Sequence, residues 1–300
     1  MICNCCGDSA WTPLFDENGY SLGRCESCGL HCIDPMPSLD ARMTEMEEGH
    51  FAGGKDVLGA QRQLAAERAQ RPQFERYIQA ARRHSPRGRW LDIGCGAGSL
   101  IELAQESGYK PEGIELTPER RAVAQQATGL TVHDRPVEGL DFSDGIFDVV
   151  SMIDVFSHLT DPKSTLSELA RILTPAGILI VVTGELEKGI DKSHVFSWSL
   201  GDHLYFLGDE TMPQLAEHTG LTVLERNKRW HPDITYTRER FNLMGLSRLR
   251  NAIKKSILWV PGAFLLLRKI MLQAQAGNKA YSTIFVLGRT INTTASLIDG

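Results

Sequence analysis

The chain has 300 residues, a formal net charge of -5, 42% hydrophobic residues and 23% charged residues. That is an ordinary balance for a globular protein with a real core. It disfavours a nucleic-acid partner, which calls for a basic face.

Six of the seven cysteines, Cys3, Cys5, Cys6, Cys25, Cys28 and Cys32, lie at the N-terminus, and Cys95 stands alone. A basic stretch followed by an apolar one is absent there, so no export signal is read and a cytoplasmic location is expected. Clustered CxxC pairs in such a chain read as metal ligands rather than disulfides. Cys3-x-x-Cys6-Gly7 and Cys25-x-x-Cys28-Gly29 are separated by 18 residues. That arrangement suits four thiolates around one tetrahedral zinc, each glycine allowing a tight knuckle turn. Cys5 and Cys32 fall outside the pattern, with Cys5 as an alternative to Cys6. Residues 1–45 are thus expected to form a small zinc ribbon, which needs its metal because so short a segment buries too little core.

Residues 46–88 are expected to form a helical linker or lid. Gly53-Gly54 marks a break, and Ala60 to His84 is rich in helix-forming Ala, Gln, Arg and Glu, with Pro72 kinking or splitting the helix. From Arg89 onward short apolar runs alternate with helical stretches. Strands are predicted at Arg89–Ile93, Glu112–Leu116, Leu130–His133, Phe147–Met152 and Gly177–Val182. Helices are predicted at Ser99–Ser107, after Thr117-Pro118, and from Asp161-Pro162 to Leu173, the last two opened by an N-cap residue and a proline. A helix at Asp209–His218, capped by Gly220, precedes two late strands at Leu221–Glu225 and Tyr281–Leu287. Repeated βαβ units imply a doubly wound, mostly parallel seven-stranded sheet over residues 89–300.

Asp92-Ile93-Gly94-Cys95-Gly96-Ala97-Gly98 sits where the first of these strands turns into a helix. Alternate glycines let the backbone turn sharply and approach a ligand. A dinucleotide loop would read G-x-G-x-x-G, a different spacing. Glu115, at the end of the next strand, is placed to accept hydrogen bonds from ribose hydroxyls. Cys95 reads as a small packed residue.

The run from Asp92 to Gly98, with Glu115 beyond it, resembles the cofactor motif of the class I S-adenosylmethionine-dependent methyltransferases. Phe147-Asp148-Val149-Val150, the segment from Asp154 to Pro162 and Leu173-Thr174-Pro175-Ala176-Gly177 resemble later parts of the same family. Ser157 stands where many relatives have Glu. The resemblance covers about residues 89–226 and implies a Rossmann-like methyltransferase fold. It also implies that Asp92, Gly94, Gly96, Gly98 and Glu115 line the cofactor, that Asp134 flanks its adenine, and that Asp154 faces it. The N-terminal zinc ribbon makes the whole similar to methyltransferases of sugars, polysaccharides and natural products.

Methyl transfer to a hydroxyl is helped by a base, and histidine has a suitable intrinsic pKa. His158 lies after the fourth strand of the sheet, at the carboxyl edge where open α/β folds bind ligands. His203 opens His203-Leu204-Tyr205-Phe206, expected at the same edge. Tyr205 is a third candidate, more suited to a wall than a base, and Phe196 and Trp198 read as apolar wall. A stretch at about 233–279 is expected as an insertion between the last two strands, emerging beside the cleft. Its apolar run, edged by Arg and Lys, is too short to span a membrane; a helical pair packed on the core or a dimer contact is the first expectation, and a peripheral membrane contact the alternative.

The expected function is S-adenosylmethionine-dependent O-methylation of a small-molecule or glycan acceptor, a sugar hydroxyl first, with a lipid-linked acceptor as the sharper form. Sugar C-methylation, RNA methylation and a non-enzymatic zinc- and cofactor-binding partner protein are the alternatives.

Overall fold

The computed structural model describes residues 2–47, 57–192, 198–230 and 280–290. The expected insertion at 233–279, Phe196 and Gly53-Gly54 lie outside them.

The N-terminal segment forms three antiparallel strands: β1 (Trp11–Glu17), β2 (Tyr20–Cys25) and β3 (His31–Asp34). Helix α1 (Leu39–Glu47) follows. The predicted 60–84 helix is two helices, α2 (Val57–Arg68) and α3 (Arg71–His84), broken just before Pro72. Proline is tolerated in a first helical turn, where its missing N–H is not needed.

The next units are β4 (Arg89–Ile93), α4 (Ser99–Glu106), β5 (Lys110–Ile114), α5 (Pro118–Thr128), β6 (Val132–His133) and β7 (Phe147–Ile153). Helix α6 (Pro162–Ile172), β8 (Leu173–Leu186), β9 (Tyr205–Phe206), α7 (Thr211–His218), β10 (Leu221–Trp230) and β11 (Ala280–Arg289) complete the chain. Strand β5 starts and ends two residues earlier than predicted, which leaves Glu115 just past its end. Strand β8 reaches back to Leu173, because Leu173 pairs with Phe147 ahead of a bulge that returns to register at Ile178. Gly177 permits the bulge: a Cβ there would lie 2.9 Å from the Phe147 carbonyl oxygen.

Seven strands form one sheet in the order β10-β11-β8-β7-β4-β5-β6. The β6-β5-β4-β7-β8 neighbours are parallel, and β11 is antiparallel to both β8 and β10. This is the expected doubly wound, Rossmann-like sheet. Strand β10 therefore ends at the same carboxyl edge as the parallel strands.

Side chains alternate across the sheet. Ile178, Ile180 and Val182 of β8 face a core shared with Tyr77 and Ile78 of α3 and Leu100 and Leu103 of α4. Leu179 and Val181 face the opposite core, with Leu166 and Leu169 of α6 and Met212 and Leu215 of α7. The N-terminal strands join this second core through Leu22, Leu30 and Ile33. They also gain a fourth strand from the main domain: β9 pairs antiparallel with β3, His31 opposite Phe206 and Cys32 opposite Tyr205. No helix among the described residues is long and apolar enough to cross a membrane.

Candidate active site and metal centre

The glycine loop leaves β4 with Gly94, Gly96 and Gly98 all at positive φ, 69°, 58° and 98°. A side chain at Gly94 would meet Val155 Cγ2 at 2.4 Å, and one at Gly98 would meet Ala124 at 3.1 Å. The loop is thus wedged between the turn after β7 and helix α5. Cys95 is buried with its sulfur against Gly113, a packing residue as expected.

Three carboxylates converge here. Glu115 is buried; its Oε2 accepts from Gly96 N–H (3.1 Å) and its Oε1 from Thr117 N–H (2.8 Å). Asp92 is buried behind the loop, where its Oδ1 accepts from Ser151 Oγ at 2.6 Å, and Ser151 in turn accepts from Trp90 Nε1 at 2.7 Å. Glu67 reaches over from α2: Oε1 accepts from Ala97 N–H (3.2 Å) and Oε2 from Ser99 N–H (3.4 Å). Its carboxylate lies against the face of Gly96, where a Cβ would be 2.6 Å from Oε1. Burial pushes Asp92 up to about 7, with the charges of Glu67 and Glu115 adding to it. Burial raises Glu67 as well.

This field tests the expected cofactor. Buried carboxylates whose charges oppose one another favour a ligand that brings positive charge and repel a pyrophosphate. A sulfonium and an α-ammonium suit this set of residues.

At the carboxyl edge, the turn Phe156–His158 follows β7. His158 Nδ1 lies 2.6 Å from the Asp202 carbonyl oxygen, and His203 Nδ1 lies 2.9 Å from Ser157 Oγ. The two imidazoles pack with centroids 4.8 Å apart, and Trp198 and Phe206 pack against His203. A carbonyl only accepts, so His158 Nδ1 carries the proton and Nε2 is the basic nitrogen. Burial pushes the His158 pKa below its ordinary value, with Arg42 and Arg120 contributing in the same direction. The ring is neutral near pH 7.

At the N-terminus, the Sγ atoms of Cys3, Cys6, Cys25 and Cys28 all lie within 4.8 Å of one another. The Cys3–Cys28 and Cys6–Cys25 sulfurs are 3.5 and 3.6 Å apart. Tetrahedral zinc with Zn–S of about 2.3 Å separates sulfurs by roughly 3.8 Å. The two knuckles share one geometry. Gly7 N–H donates to Cys3 O (2.9 Å) and Gly29 N–H to Cys25 O (3.1 Å), with both glycines at φ 77°. Cys5 instead points to Thr211 O and Cys32 to Ile33 O, outside the cluster.

A family model described as a methyltransferase domain matches residues 62–226, more than half of the chain. The chain belongs to the methyltransferase-domain family. It is 31% identical over 150 residues to the 2-methyl-6-phytyl-1,4-hydroquinone methyltransferase of Synechocystis, covering 44% of this chain and 45% of that protein. It is 34% identical over 103 residues to a ubiquinone biosynthesis O-methyltransferase of Haemophilus ducreyi, covering 31% of this chain and 44% of that protein. The chain thus spans less than half the length of these curated relatives. Geranyl diphosphate C-methyltransferase from Streptomyces coelicolor has the same fold, with a TM-score of 0.54, 14% identity, and coverage of 72% of this chain and 79% of that one.

Within the methyltransferase domain the predicted residues divide. Asp92, Gly94, Gly96, Gly98 and Glu115 gather at the loop. Asp154 lies just past the end of β7, exposed, at φ 56°, a left-handed conformation that Asp tolerates. Asp134 is exposed and next to Arg135. His158 and His203 meet at the edge, whereas Tyr205 is fully buried, its hydroxyl between Asn4 Nδ2 (2.7 Å) and Thr160 O (3.2 Å). Sequence reasoning missed Glu67 and Arg42. Arg42 of α1 is buried and donates to Gly201 O (2.8 Å) and Asp202 O (3.1 Å). Neither residue carries a local signal, because each is one polar position among several on a helix.

Proposed function

We infer that the protein is an S-adenosylmethionine-dependent methyltransferase that O-methylates a small-molecule acceptor in the cytoplasm. The observation that carries this is the convergence of Asp92, Glu115 and Glu67 on the glycine loop, a negative field suited to a cationic cofactor. When bound, S-adenosylmethionine supplies a methyl group already activated by its sulfonium.

The chain's own residues do the rest. Gly94, Gly96 and Gly98, at positive φ and packed against Val155, Glu67 and Ala124, set the tight loop that cradles the ligand. Glu115, oriented by two backbone N–H groups, keeps lone pairs for ribose hydroxyls. Asp134 flanks the adenine, and Asp154 faces the cofactor from the end of β7. His158 Nε2 takes the proton of the acceptor hydroxyl and returns it to solvent. His203, fixed by Ser157, packs beside it and, with Trp198 and Phe206, walls the acceptor. Tyr205 braces this wall and takes no part in proton transfer, since burial raises its pKa. Cys3, Cys6, Cys25 and Cys28 hold a structural zinc, because four thiolates close the coordination sphere.

A sugar hydroxyl is the first acceptor, on the strength of the ribbon-headed arrangement; lipid-linked glycans extend that class. A hydroquinone is the second reading, supported by the name of the Synechocystis relative. RNA is disfavoured by the acidic balance.

Calorimetric titration of zinc-loaded protein with S-adenosylmethionine and S-adenosylhomocysteine tests the assignment. Wild type is expected to bind both, and Glu115→Ala to weaken binding about tenfold or more, the scale of lost charge-assisted hydrogen bonds. No binding by folded wild type would sink the enzyme reading. Glycosides and hydroquinones are then screened side by side.

A further inference from the structure

Residues 198–211 carry the acceptor wall, yet only Tyr205–Phe206 is a strand. Leu207 N–H donates to Gly184 O (2.9 Å) and Leu204 N–H to Ser157 O (2.7 Å), which ties the segment to the sheet edge. Leu186 N–H also donates to Leu207 O (2.8 Å), and Ser157, His158 and Thr160 hold His203, Asp202 and Tyr205 from the domain side. A second set of bonds runs to the N-terminal ribbon. Leu200 N–H donates to Glu17 Oε2 (3.1 Å), and Asn18 Nδ2 donates to Leu200 O (3.3 Å). Ile33 N–H donates to Leu204 O (3.1 Å), alongside the β3–β9 pairing.

Four further contacts land on the metal knuckles themselves. Asn4, between Cys3 and Cys6, donates to the Tyr205 hydroxyl, which reaches on to Thr160 O. Thr211 Oγ1 donates to Cys28 O at 2.9 Å while accepting from Gly208 N–H at 2.9 Å. Cys5 Sγ donates to Thr211 O at 3.6 Å. Gly208 and Gly29 pack backbone to backbone: a Cβ on Gly208 would lie 2.3 Å from Gly29 O. The glycine loop is held differently, by Glu115, Glu67 and Ile114 O.

We propose that the metal-loaded ribbon is the structural support of the acceptor wall, with Tyr205 and Thr211 as positioning residues that transmit knuckle geometry to His203 and to the Asp202 carbonyl behind His158. This rests on the methyl-transfer reading for the meaning of the wall, and on the four cysteines holding zinc. Leu22, Leu30 and Ile33 of the ribbon lie in the core shared with the domain, but the knuckles have no apolar core of their own, so knuckle order depends on the metal. Losing the metal releases the partner strand of β9 and both knuckle bridges together. The cofactor half keeps its own bonds.

The experiment is peptide-resolved hydrogen exchange on the full-length protein, zinc-loaded and chelator-stripped. Zinc content is measured by elemental analysis, and S-adenosylhomocysteine affinity by calorimetry. Stripping is expected to speed exchange of amides 200–211 about tenfold or more, the scale of a lost local opening energy. The 91–115 amides should stay protected, and S-adenosylhomocysteine affinity should change less than about twofold. Unchanged exchange at 200–211 overturns the proposal, and so does a simultaneous loss of protection across both regions. A protein that takes up no zinc also overturns it. Tyr205→Phe and Thr211→Val, with zinc content intact, should each raise exchange within 203–211; no change in either variant removes the positioning role. Failure of zinc-loaded wild type to bind S-adenosylhomocysteine counts against the methyl-transfer reading instead, and exchange at 200–211 still decides whether metal supports this segment.

Discussion

Asp92 sits where a carboxylate charge is poorly supported. It is buried under the glycine loop, accepts one hydrogen bond from Ser151, and feels the charges of Glu67 and Glu115. Its pKa of about 7 lies well above the unfolded value of about 3.9. The folded state therefore retains a proton that the unfolded state has lost. Its contribution to stability is full below about pH 4 and is lost as pH rises towards 7. Asp92→Asn keeps the acceptor for Ser151 and cannot ionise. In urea unfolding of ligand-free protein, wild type should lose on the order of 2 kcal/mol relative to Asp92→Asn between pH 5 and pH 8. A difference that stays flat across that range would show that the carboxylate is ionised throughout. Glu67 shares this field from α2.

Among the elements, the helix starts show how local chemistry is carried out. At α6, Asp161 Oδ1 accepts from Ser164 N–H at 3.0 Å, the predicted N-cap. Asp161→Ala should cost about 1 kcal/mol of unfolding free energy, read from denaturant midpoints. A change near zero would mean that water satisfies the end equally well. At α5, Thr117 occupies the N-cap position, but its side chain makes no cap bond. Glu115 Oε1 takes the Thr117 N–H instead, so one carboxylate orders both the helix entry and the glycine loop. Glu115→Ala therefore removes two structural hydrogen bonds as well as a charge. Strand β9 is the counter-example. Two residues give no periodicity from which a strand could be read, and it exists because β3 of the ribbon lies beside it.

On the scale of the whole molecule, the ribbon is not a bead on a string. Leu22, Leu30 and Ile33 belong to the same buried cluster as Phe147, Leu169, Leu179 and Met212. A shared core favours one cooperative unfolding event. Zinc-loaded protein should melt in a single calorimetric transition. Two resolved transitions, one removable by chelation, would show that the ribbon folds independently and would separate it from the acceptor wall.

The sheet and its carboxyl edge were legible because alternating apolar strands and capped helices repeat along the chain. The Asp92–Gly98 loop, Glu115 and the four knuckle cysteines were legible because their chemistry demands fixed spacing within a short segment. A turn, a helix N-terminus and a pair of thiolates are each built from neighbours in sequence, so sequence alone determines them. Which acid leans over Gly96, which arginine holds the Asp202 carbonyl, and what the Tyr205 hydroxyl touches were decided only by tertiary structure. Those contacts join segments far apart in the chain. They depend on the angle at which α2 and α1 dock and on the register in which β3 meets β9, and no local pattern of residue types encodes either.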